Sequence, residues 1–552
     1  MTTAPASRDA TTAVYQTVEI ALVSDEDHAN PYLDVDVEVL FAGPKGATIR
    51  RPAFWDGGRT WRVRFAPTMP GHWLYRTSSN RTTDNGLHGV TGDINCVSAD
   101  AQTTIHRHGF LRRAEFGRHL SHDDGTPFFW LADTHWRFRF ERQDEANKPG
   151  WDSQFRGTID KRVDQGFTVY QANLMTVDWS GEASPFWCDG EPFTRLNPEY
   201  IRDEIDPRIA YIADAGLVTA LGFGWHGLVD DDPDGVVRFA RYIVARYGSF
   251  AVVWTLGGEV PGYDPDRVDE RLAGWLRVGE AIRDADGYGH PITVHSTNDR
   301  PIATTFIDED WLTFGLNQHG HGDLDLDSHH YADFFSGHPS VPLVEGESLY
   351  EGLISVEPAG RRLVTDTMVR HAAYQAIQSG CCGYSYGAQG CWNGAWDTSE
   401  SVSAWGRLPW YDGVDLPGAE QMGFLRRYYE VAGWQDLTPA DAFLPGGFIN
   451  RRFYQPPVLS TASRSVLTVY FPDTYRTDEP VGSLVGLPQD AFDLRWFDPR
   501  SGEWFEAGIV RSGDDGSLVV PQKPSDDDWL LLARSTTSIG CSPRKAPHGD
   551  RD

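Results

Sequence analysis

Eight short apolar runs, separated by helical or loop stretches, constrain the fold of this chain more than any other feature of its sequence. Runs that stay apolar at successive positions are typical of strands buried on both faces of a parallel sheet. Helical segments such as SQFRGTIDKRVDQ and DRVDERLAGWLRVGEAIRDA stand between several of them. Eight strand–helix units predict a (β/α)8 barrel. In chain order the runs are FFWLAD (128–133), FTVYQANL (167–174), LVTALGFGW (217–225), AVVWTLGGE (251–259), PITVHS (291–296), WLTFGLNQ (311–318), VPLVEGE (341–347) and GCCGYSYGAQ (380–389).

Shorter strand patterns with a period of two flank this region on both sides. TVEIALV and TWRVRFAP precede it, and SVLTVYFP and FDLRWFDP follow it. Such alternation, broken by Gly, Pro and Asp turns, predicts antiparallel sandwiches. The predicted fold is therefore α/β, with a TIM barrel over residues 105–435 flanked by two small all-β sandwich domains at 14–98 and 440–535. Residues 1–13 are small and polar, and we expect them to lack regular structure.

Composition and charge exclude several classes of partner. The net charge of −30 repels nucleic acid and anionic membranes, so we expect neither as a partner. No apolar run approaches the roughly 18 residues of a membrane span. The amino-terminal residues lack the pattern of a signal peptide, and the six cysteines show no CxxC pair. The sequence therefore predicts a cytoplasmic protein with free thiols and leaves the oligomeric state open.

Polar and aromatic side chains gather where each apolar run ends. In a (β/α)8 barrel these carboxyl ends form the face that carries the chemistry. The polar side chains there are predicted to bind sugar hydroxyls, and the aromatic ones to stack on sugar rings. An alternative for Asp133 is a structural cap of the following turn, and for the histidines it is packing. The predicted substrate-binding residues are Asp133, His135, Trp136, Asn173, Trp225, His226, His295, Asn298, Gln318, His321, Tyr384 and Trp392.

Two of the strand ends carry glutamates that are spaced like a catalytic pair. Glu259 and Glu347 lie 88 positions apart, which is close to three units of about 31 residues each in a typical barrel. Strands 4 and 7 face each other across such a barrel, and glycoside hydrolysis uses two carboxylic acids that flank one bond. Glu345 competes with Glu347 because positions i and i+2 of a strand share a face. The alternative for each glutamate is that it has no catalytic role and simply faces solvent at the end of a strand.

A metal or cofactor site is not predicted. The segment HGHGDLDLDSHH at 319–330 is rich in ligand-type side chains. It departs from the calcium-loop pattern, because Ser328 stands where glycine is required and Phe334 where glutamate is required. The chain also has neither a Gly-rich phosphate loop nor a GxSxG nucleophile turn.

Several of these motifs resemble the apiosidase-like glycoside hydrolases. The resemblance rests on FFWLADTHW, VYQANL, VVWTLGGE, NQHGHG, PLVEGESLYEG, YSYGAQGCWN and DLPGAEQMGFLRRYY. It implies a (β/α)8 domain with Glu259 as the acid/base and Glu347 as the nucleophile. FAPTMPGHWLYRT and LRWFDPRSGEWFEAG resemble the sandwich domains that often flank that barrel. The chain departs from the family pattern with Glu at 259 for Asp, Ser at 348 for Pro, and His at 135 for a small residue.

The predicted activity is retaining, exo-acting hydrolysis of a glycoside with a small sugar, either apiose or another furanose or pentose-like residue. Glu347 attacks the anomeric carbon, while Glu259 donates a proton and then activates water. Three alternatives remain open at the level of sequence. They are a non-catalytic carbohydrate-binding protein on the same barrel, an inverting glycosidase and a transglycosylase.

Overall fold

In the computed structural model of the protein, two compact units account for the described residues. The first comprises Met1–Leu324, Ser340–Asp366 and Cys382–Ala419, and the second comprises Asp325–Pro339, Thr367–Cys381 and Glu420–Asp552. The domain boundaries expected from the sequence stay a prediction. The structure describes residues 9–98, 103–175, 184–188, 190–299, 305–321, 329–338, 340–357, 360–400, 405–445, 456–475, 477 and 482–537.

Seven strands in the first unit form one parallel sheet, and each coincides with a predicted apolar run. They pair in the order 4-3-2-1-8-7-6, so strand 1 lies next to strand 8. We number them by run as barrel strand 1 (Trp130–His135), strand 2 (Val169–Asn173), strand 3 (Val218–Gly222), strand 4 (Val252–Trp254), strand 6 (Gly315–Gln318), strand 7 (Leu343–Glu347) and strand 8 (Gly383–Tyr386).

The fifth predicted run closes the circle through isolated bridges. Ile292 bridges in parallel to Trp254 of strand 4 and to Leu312, and His295 bridges to Leu316 of strand 6. Residues 291–296 therefore stand as barrel strand 5 between strands 4 and 6, without a continuous ladder on either side. The predicted fold, a (β/α)8 barrel flanked by all-β sheets, is confirmed.

Helices follow the strands where the sequence predicts them. Gln154–Asp164 begins after Ser153, whose hydroxyl accepts the backbone N–H of Arg156 as an N-cap. No helix among the described residues has both the length and the apolar character needed to cross a membrane. Among the described residues, the other α-helices are Pro31–Asp34, Thr104–His108, Pro198–Tyr200, Asp206–Asp214, Pro233–Tyr247, Val268–Ala285, His329–Gly337, Asp366–Gln378, Trp410–Gly413 and Pro417–Ala432, with a π-helix at Ile201–Ile205.

Two sheets before the barrel pack face to face. Phe41 of the larger sheet stacks on Phe65 of the smaller one, with ring centroids 3.9 Å apart. The larger sheet contains Asp9–Ala13, Thr91–Val97, Gly71–Ser79, Val37–Ala42 and Thr48–Pro52, and the smaller contains Val18–Val23, Thr60–Phe65 and Phe54–Trp55. The expectation that residues 1–13 lack structure is wrong for Asp9–Ala13, because its backbone pairs in parallel with Thr91–Val97.

The second unit contains a six-stranded antiparallel sheet. The helix Asp366–Gln378 packs on it through the buried ion pair of Arg370 and Asp528, at 2.9 Å. The strands lie in the order Leu437–Pro439, Val458–Thr461, Val466–Phe471, Trp529–Ser535, Ala491–Asp498 and Glu503–Arg511, with a separate pair of Ser483–Leu484 and Leu518–Val519.

Short strands complete the first unit. Three of them form an antiparallel sheet ahead of the barrel, two form a hairpin after strand 7, and two form a parallel pair at the ends of strands 3 and 4. They are Leu111–Arg113, Leu120–His122 and Pro127–Phe128; Ile354–Glu357 and Gly360–Leu363; and Gly224–Trp225 and Gly257–Gly258.

Candidate active site

Glu259 follows a short extension of barrel strand 4. The extension, Gly257–Gly258, pairs in parallel with Gly224–Trp225 beyond the end of strand 3. A Cβ on the first glycine would lie 2.4 Å from the ring of Trp275, and one on the second 2.6 Å from the ring of Trp225. Only glycine fits between two indoles at these distances. The Gly-Gly pair therefore lets the strand continue between the rings and places Glu259 at its end.

The backbone and the side chain of Glu259 are both unusual. Its φ of +51° lies in the left-handed region, which non-glycine residues rarely adopt and which is concentrated at functional sites. Gln318 Nε2 and the Tyr263 hydroxyl each donate to Glu259 Oε1 at 3.3 Å. Burial and the negative charge of Glu347 raise the pKa of Glu259 above its ordinary value, even though these donors oppose the shift. The site therefore makes this acid hold its proton more tightly than an ordinary glutamate does.

Glu347 has the opposite electrostatic environment. His321 Nε2 lies 3.0 Å from one carboxylate oxygen, and His295 Nε2 lies 3.0 Å from the other. Burial alone would raise the pKa of Glu347, but the two histidines outweigh it and hold that pKa well below its ordinary value. Glu347 is therefore ionised in this site.

One imidazole connects the two glutamates. The backbone N–H of Glu259 donates to His295 Nδ1 at 3.1 Å. Because Nδ1 accepts, the neutral ring carries its hydrogen on Nε2, the nitrogen that faces Glu347. His295 thus contacts the backbone of one acid and the carboxylate of the other, and the structure brings the two predicted glutamates into one site.

His321 faces an acceptor on each side. Its Nδ1 lies 2.7 Å from the carbonyl oxygen of Ser348, and its Nε2 lies 3.0 Å from Glu347 Oε1. A carbonyl oxygen and an ionised carboxylate can only accept, so both ring nitrogens must donate. The geometry therefore directs both ring nitrogens of His321 at oxygen atoms that accept hydrogen bonds.

Glu345, the competing candidate, is enclosed by protein donors. It is 0 % exposed and accepts hydrogen bonds from Asn317 Nδ2 at 2.8 Å and from the backbone N–H of His319 at 3.0 Å. The backbone N–H of Glu347 also donates to it at 3.3 Å. Glu345 therefore positions the end of strand 7, whereas Glu347 is the glutamate that meets the two histidines.

Asp133 and His135 belong to a buried network of charges. Asp133 Oδ2 lies 2.6 Å from Arg162 Nε and 3.0 Å from His135 Nε2, while His135 Nδ1 lies 2.6 Å from Glu141 Oε1. Burial disfavours a charged His135, but Glu141 and Asp133 outweigh it and raise its pKa to about 9. Both predicted residues contact protein groups here, and their role in binding hydroxyls stays a prediction.

Trp136 and Trp225 contribute indole rings close to His295. Their ring centroids are 5.7 Å apart, and the Trp136 ring lies 5.1 Å from that of His295 in an edge arrangement. Trp136 Nε1 donates to the Tyr350 hydroxyl at 2.9 Å. The half-buried Trp225 is the more accessible of the two rings, so it is the better placed to stack on a sugar.

The remaining aromatic candidates, Tyr384 and Trp392, differ in exposure. Tyr384 is fully buried in strand 8. Trp392 is half-buried, and its Nε1 donates to Gln389 Oε1 at 3.0 Å. Its ring centroid lies 6.3 Å from that of Tyr350.

Three further predicted residues lie at the ends of strands 2, 3 and 5. Asn298 is exposed, and its Oδ1 lies 3.2 Å from the Tyr263 hydroxyl oxygen, so it lies close to Glu259. His226 is half-buried, and burial together with the charge of Arg271 lowers its pKa. Asn173 is fully buried at the end of strand 2.

Tyr263 and Tyr350 are the site residues that strand-end reasoning missed. Burial and then the charge of Glu347 raise the pKa of Tyr350, which places this phenol beside the carboxylate. The two tyrosines follow the two glutamates by four and three positions. A search for phenols just beyond each predicted acid would have found both.

No group of three or more His, Cys, Asp or Glu in the described part of the chain is arranged to hold a metal ion. The ligand-rich segment at 319–330 lies partly outside the described residues, because 322–328 are among those not described.

Comparison with solved structures supports the architecture. One solved structure from Bacteroides vulgatus, described provisionally as a glycoside hydrolase, aligns with 96% of this chain over 100% of its own length. The two chains are 17% identical and superpose with a TM-score of 0.71. A glycoside hydrolase family 5 structure from the same organism aligns over 78% and 94%, at 20% identity and a TM-score of 0.65. At these identities the likeness shows the fold. No curated protein sequence matches the chain.

Family profiles match two regions of the chain. Residues 11–80 match a domain of unknown function, DUF5060. Residues 114–436, more than half of the chain, match the profile described as "Apiosidase-like, catalytic domain". That region holds all eight barrel strands and both glutamates. The chain belongs to the apiosidase-like family and is a glycoside hydrolase.

Proposed function

We propose that the protein is a retaining, exo-acting glycoside hydrolase that releases a small sugar, either apiose or another furanose or pentose-like residue. Glu347 is the nucleophile and Glu259 is the general acid and base. The family resemblance supports the sugar class, and the site geometry supports the roles of the two glutamates.

The opposite pKa shifts of the two glutamates carry the assignment of the acid and the carboxylate in this proposal. Double displacement requires one ionised and one protonated carboxyl group on either side of the scissile bond. His295 and His321 lower the pKa of Glu347, whereas burial and Glu347 itself raise the pKa of Glu259. Two titratable groups whose environments separate their pKa values are the usual sign of an acid and base pair.

The first step forms a covalent intermediate. The ionised carboxylate of Glu347 attacks the anomeric carbon, and the bond to the leaving oxygen breaks as Glu259 transfers its proton to that oxygen. In the second step, Glu259 takes a proton from water while the water oxygen bonds to the anomeric carbon. The bond to Glu347 breaks as the bond to the water oxygen forms, which regenerates both carboxyl groups in their starting forms.

A panel of aryl furanosides and pyranosides, including an aryl apioside, tests this function by the release of aryl alcohol. Wild type is expected to hydrolyse at least one member, and Glu347→Ala to lose several orders of magnitude in kcat. Glu199→Ala, at an exposed position, is the matched control and should retain full activity. Turnover that survives in Glu347→Ala would overturn the assignment of the nucleophile.

The stereochemistry of the product tests the retaining mechanism separately. The first-formed sugar, followed by NMR before it mutarotates, should have the anomeric configuration of the substrate. Azide added to Glu347→Ala should restore release of the aryl alcohol and yield a glycosyl azide of inverted configuration. A first product of inverted configuration from wild type would show instead that Glu347 acts as the base of an inverting enzyme.

A further inference from the structure

Asn173 is a buried amide whose hydrogen-bonding atoms have no partner in the protein. The residue is 1 % exposed, and neither Oδ1 nor Nδ2 makes a hydrogen bond. Buried polar side chains nearly always have a partner, from the protein, from ordered water or from a ligand. The fold therefore holds a donor and an acceptor ready for a group from outside the chain.

The strand directs this amide into the barrel. Two residues earlier, Gln171 Nε2 donates to the carbonyl oxygen of Gly346 at 2.9 Å, and the Ser385 hydroxyl donates to Gln171 Oε1 at 3.0 Å. Those partners lie on strands 7 and 8, so Gln171 spans the barrel interior. Residues i and i+2 share a face of a strand, so Asn173 points to the same interior, one layer nearer the catalytic end.

Two glycines make room for the amide beside Glu259. A Cβ on Gly222 would lie 1.8 Å from Asn173 Oδ1, and a Cβ on Gly258 would lie 3.0 Å from Asn173 Nδ2. Gly258 is the residue that precedes Glu259. The amide nitrogen of Asn173 therefore lies next to the backbone that carries the proposed acid/base.

We propose that Asn173 determines specificity for a neutral, hydroxylated sugar by donating from Nδ2 to one hydroxyl of the cleaved sugar and accepting at Oδ1. A hydroxyl group both donates and accepts, and so does an amide. A carboxylate only accepts and an ammonium only donates, so either group in place of that hydroxyl leaves one amide atom unpaired. This inference rests on the proposed function and names the residue that selects its substrate.

The kinetic test pairs the aryl glycoside that wild type hydrolyses with its monodeoxy analogues. For one analogue, wild type should lose on the order of a hundredfold or more in kcat/KM, because the amide is left unpaired. Asn173→Ala should lose a similar factor on the parent glycoside and nothing further on that analogue. An equal loss on the parent and on every analogue would mean that Asn173 only shapes the barrel, and would overturn the inference.

Thr219→Val is the matched control. Thr219 Oγ1 is also buried without a partner. Thr219 pairs in register with Tyr170, which lies three positions before Asn173 and therefore on the opposite face of strand 2. Because paired residues share a face, the Thr219 hydroxyl lies on the outer face of the strands. In Thr219→Val, the ratio of kcat/KM for the parent glycoside to kcat/KM for the deoxy analogue should equal that of wild type. If this ratio changes equally in Thr219→Val and Asn173→Ala, the result would count against a direct contact between Asn173 and the sugar.

Thermal unfolding with free sugars tests the inference without turnover. A neutral monosaccharide from the panel should raise the melting temperature of wild type, and this rise should disappear in Asn173→Ala and persist in Thr219→Val. A larger rise with the matching uronic acid or amino sugar would overturn the inference. Failure of the proposed function has a different signature, namely release of aryl alcohol by Glu347→Ala or a first product of inverted configuration.

Discussion

At the residue scale, burial and then the charge of Glu347 raise the proton affinity of Glu259. Neutralising Glu347 as Glu347→Gln removes one of the two causes that raise the pKa of Glu259, so that pKa should fall. NMR titration of the Glu259 carboxyl carbon in both proteins measures the change. In wild type, the alkaline limb of kcat/KM should lie above the ordinary glutamate value of 4.5. An unchanged pKa in Glu347→Gln would mean that burial alone sets it.

His135 provides a second prediction about pH, this time for stability. Its pKa rises from 6.5 to about 9 on folding. A raised histidine pKa stabilises the fold fully below the unfolded value, and this contribution is lost as pH rises through the folded value. The free energy of unfolding in urea should therefore decline between about pH 6.5 and pH 9.

Substitution of this histidine checks the origin of the decline. His135→Gln should lower the free energy of unfolding at pH 6 by about 3 kcal/mol, because Asp133 and Glu141 lose the cation between them. It should also remove most of the slope between pH 6.5 and 9. His72→Gln, at an exposed position, is the control and should keep the slope. A wild-type slope in His135→Gln would assign the decline to another group.

At the element scale, the ends of strands 3 and 4 depend on the absence of a side chain at Gly258. Gly258→Ala places a methyl group 2.6 Å from the Trp225 ring, so the indole or the strand must move. We expect a loss of about 2 kcal/mol in stability and at least a tenfold loss in kcat, because Glu259 shifts with the strand. Gly337→Ala, which meets nothing within 4 Å, should change neither quantity. Full activity in Gly258→Ala would contradict this account.

The barrel strands were predictable because a strand that is buried on both faces needs a continuous run of apolar residues. All eight strands coincide with apolar runs, and the spacing of Glu259 and Glu347 indicated strands 4 and 7 correctly. The group that each polar side chain contacts within the site was not predictable from the sequence. Whether a polar strand end faces solvent, a ligand or a buried ion depends on residues distant in sequence, as with Asp133 and Arg162. Such pairings leave no local pattern.

At the scale of the whole molecule, a buried arginine joins the first sheets to the barrel by hydrogen bonds. Arg51, 0 % exposed, donates through Nη2 to the carbonyl oxygens of Val244 and Ala245 at 2.9 and 3.1 Å, near the end of a barrel helix. Arg51→Met leaves these carbonyls without a charged donor and should lower the free energy of unfolding by about 3 kcal/mol.

The neighbouring arginine provides the control for that measurement. Arg50 points outward from the same strand, with 65% of its side chain exposed and Glu38 as its partner. Arg50→Met should change the stability by less than about 0.5 kcal/mol. Urea unfolding of both variants measures the two losses in the free energy of unfolding. Equal losses would mean that the contact of Arg51 with the helix contributes little to stability.

His295 sits between the two acids, touching the main chain of one and the carboxylate of the other. An imidazole ring is rigid, so it acts as a spacer of constant width. The ring therefore fixes how far the backbone of Glu259 lies from the carboxylate of Glu347.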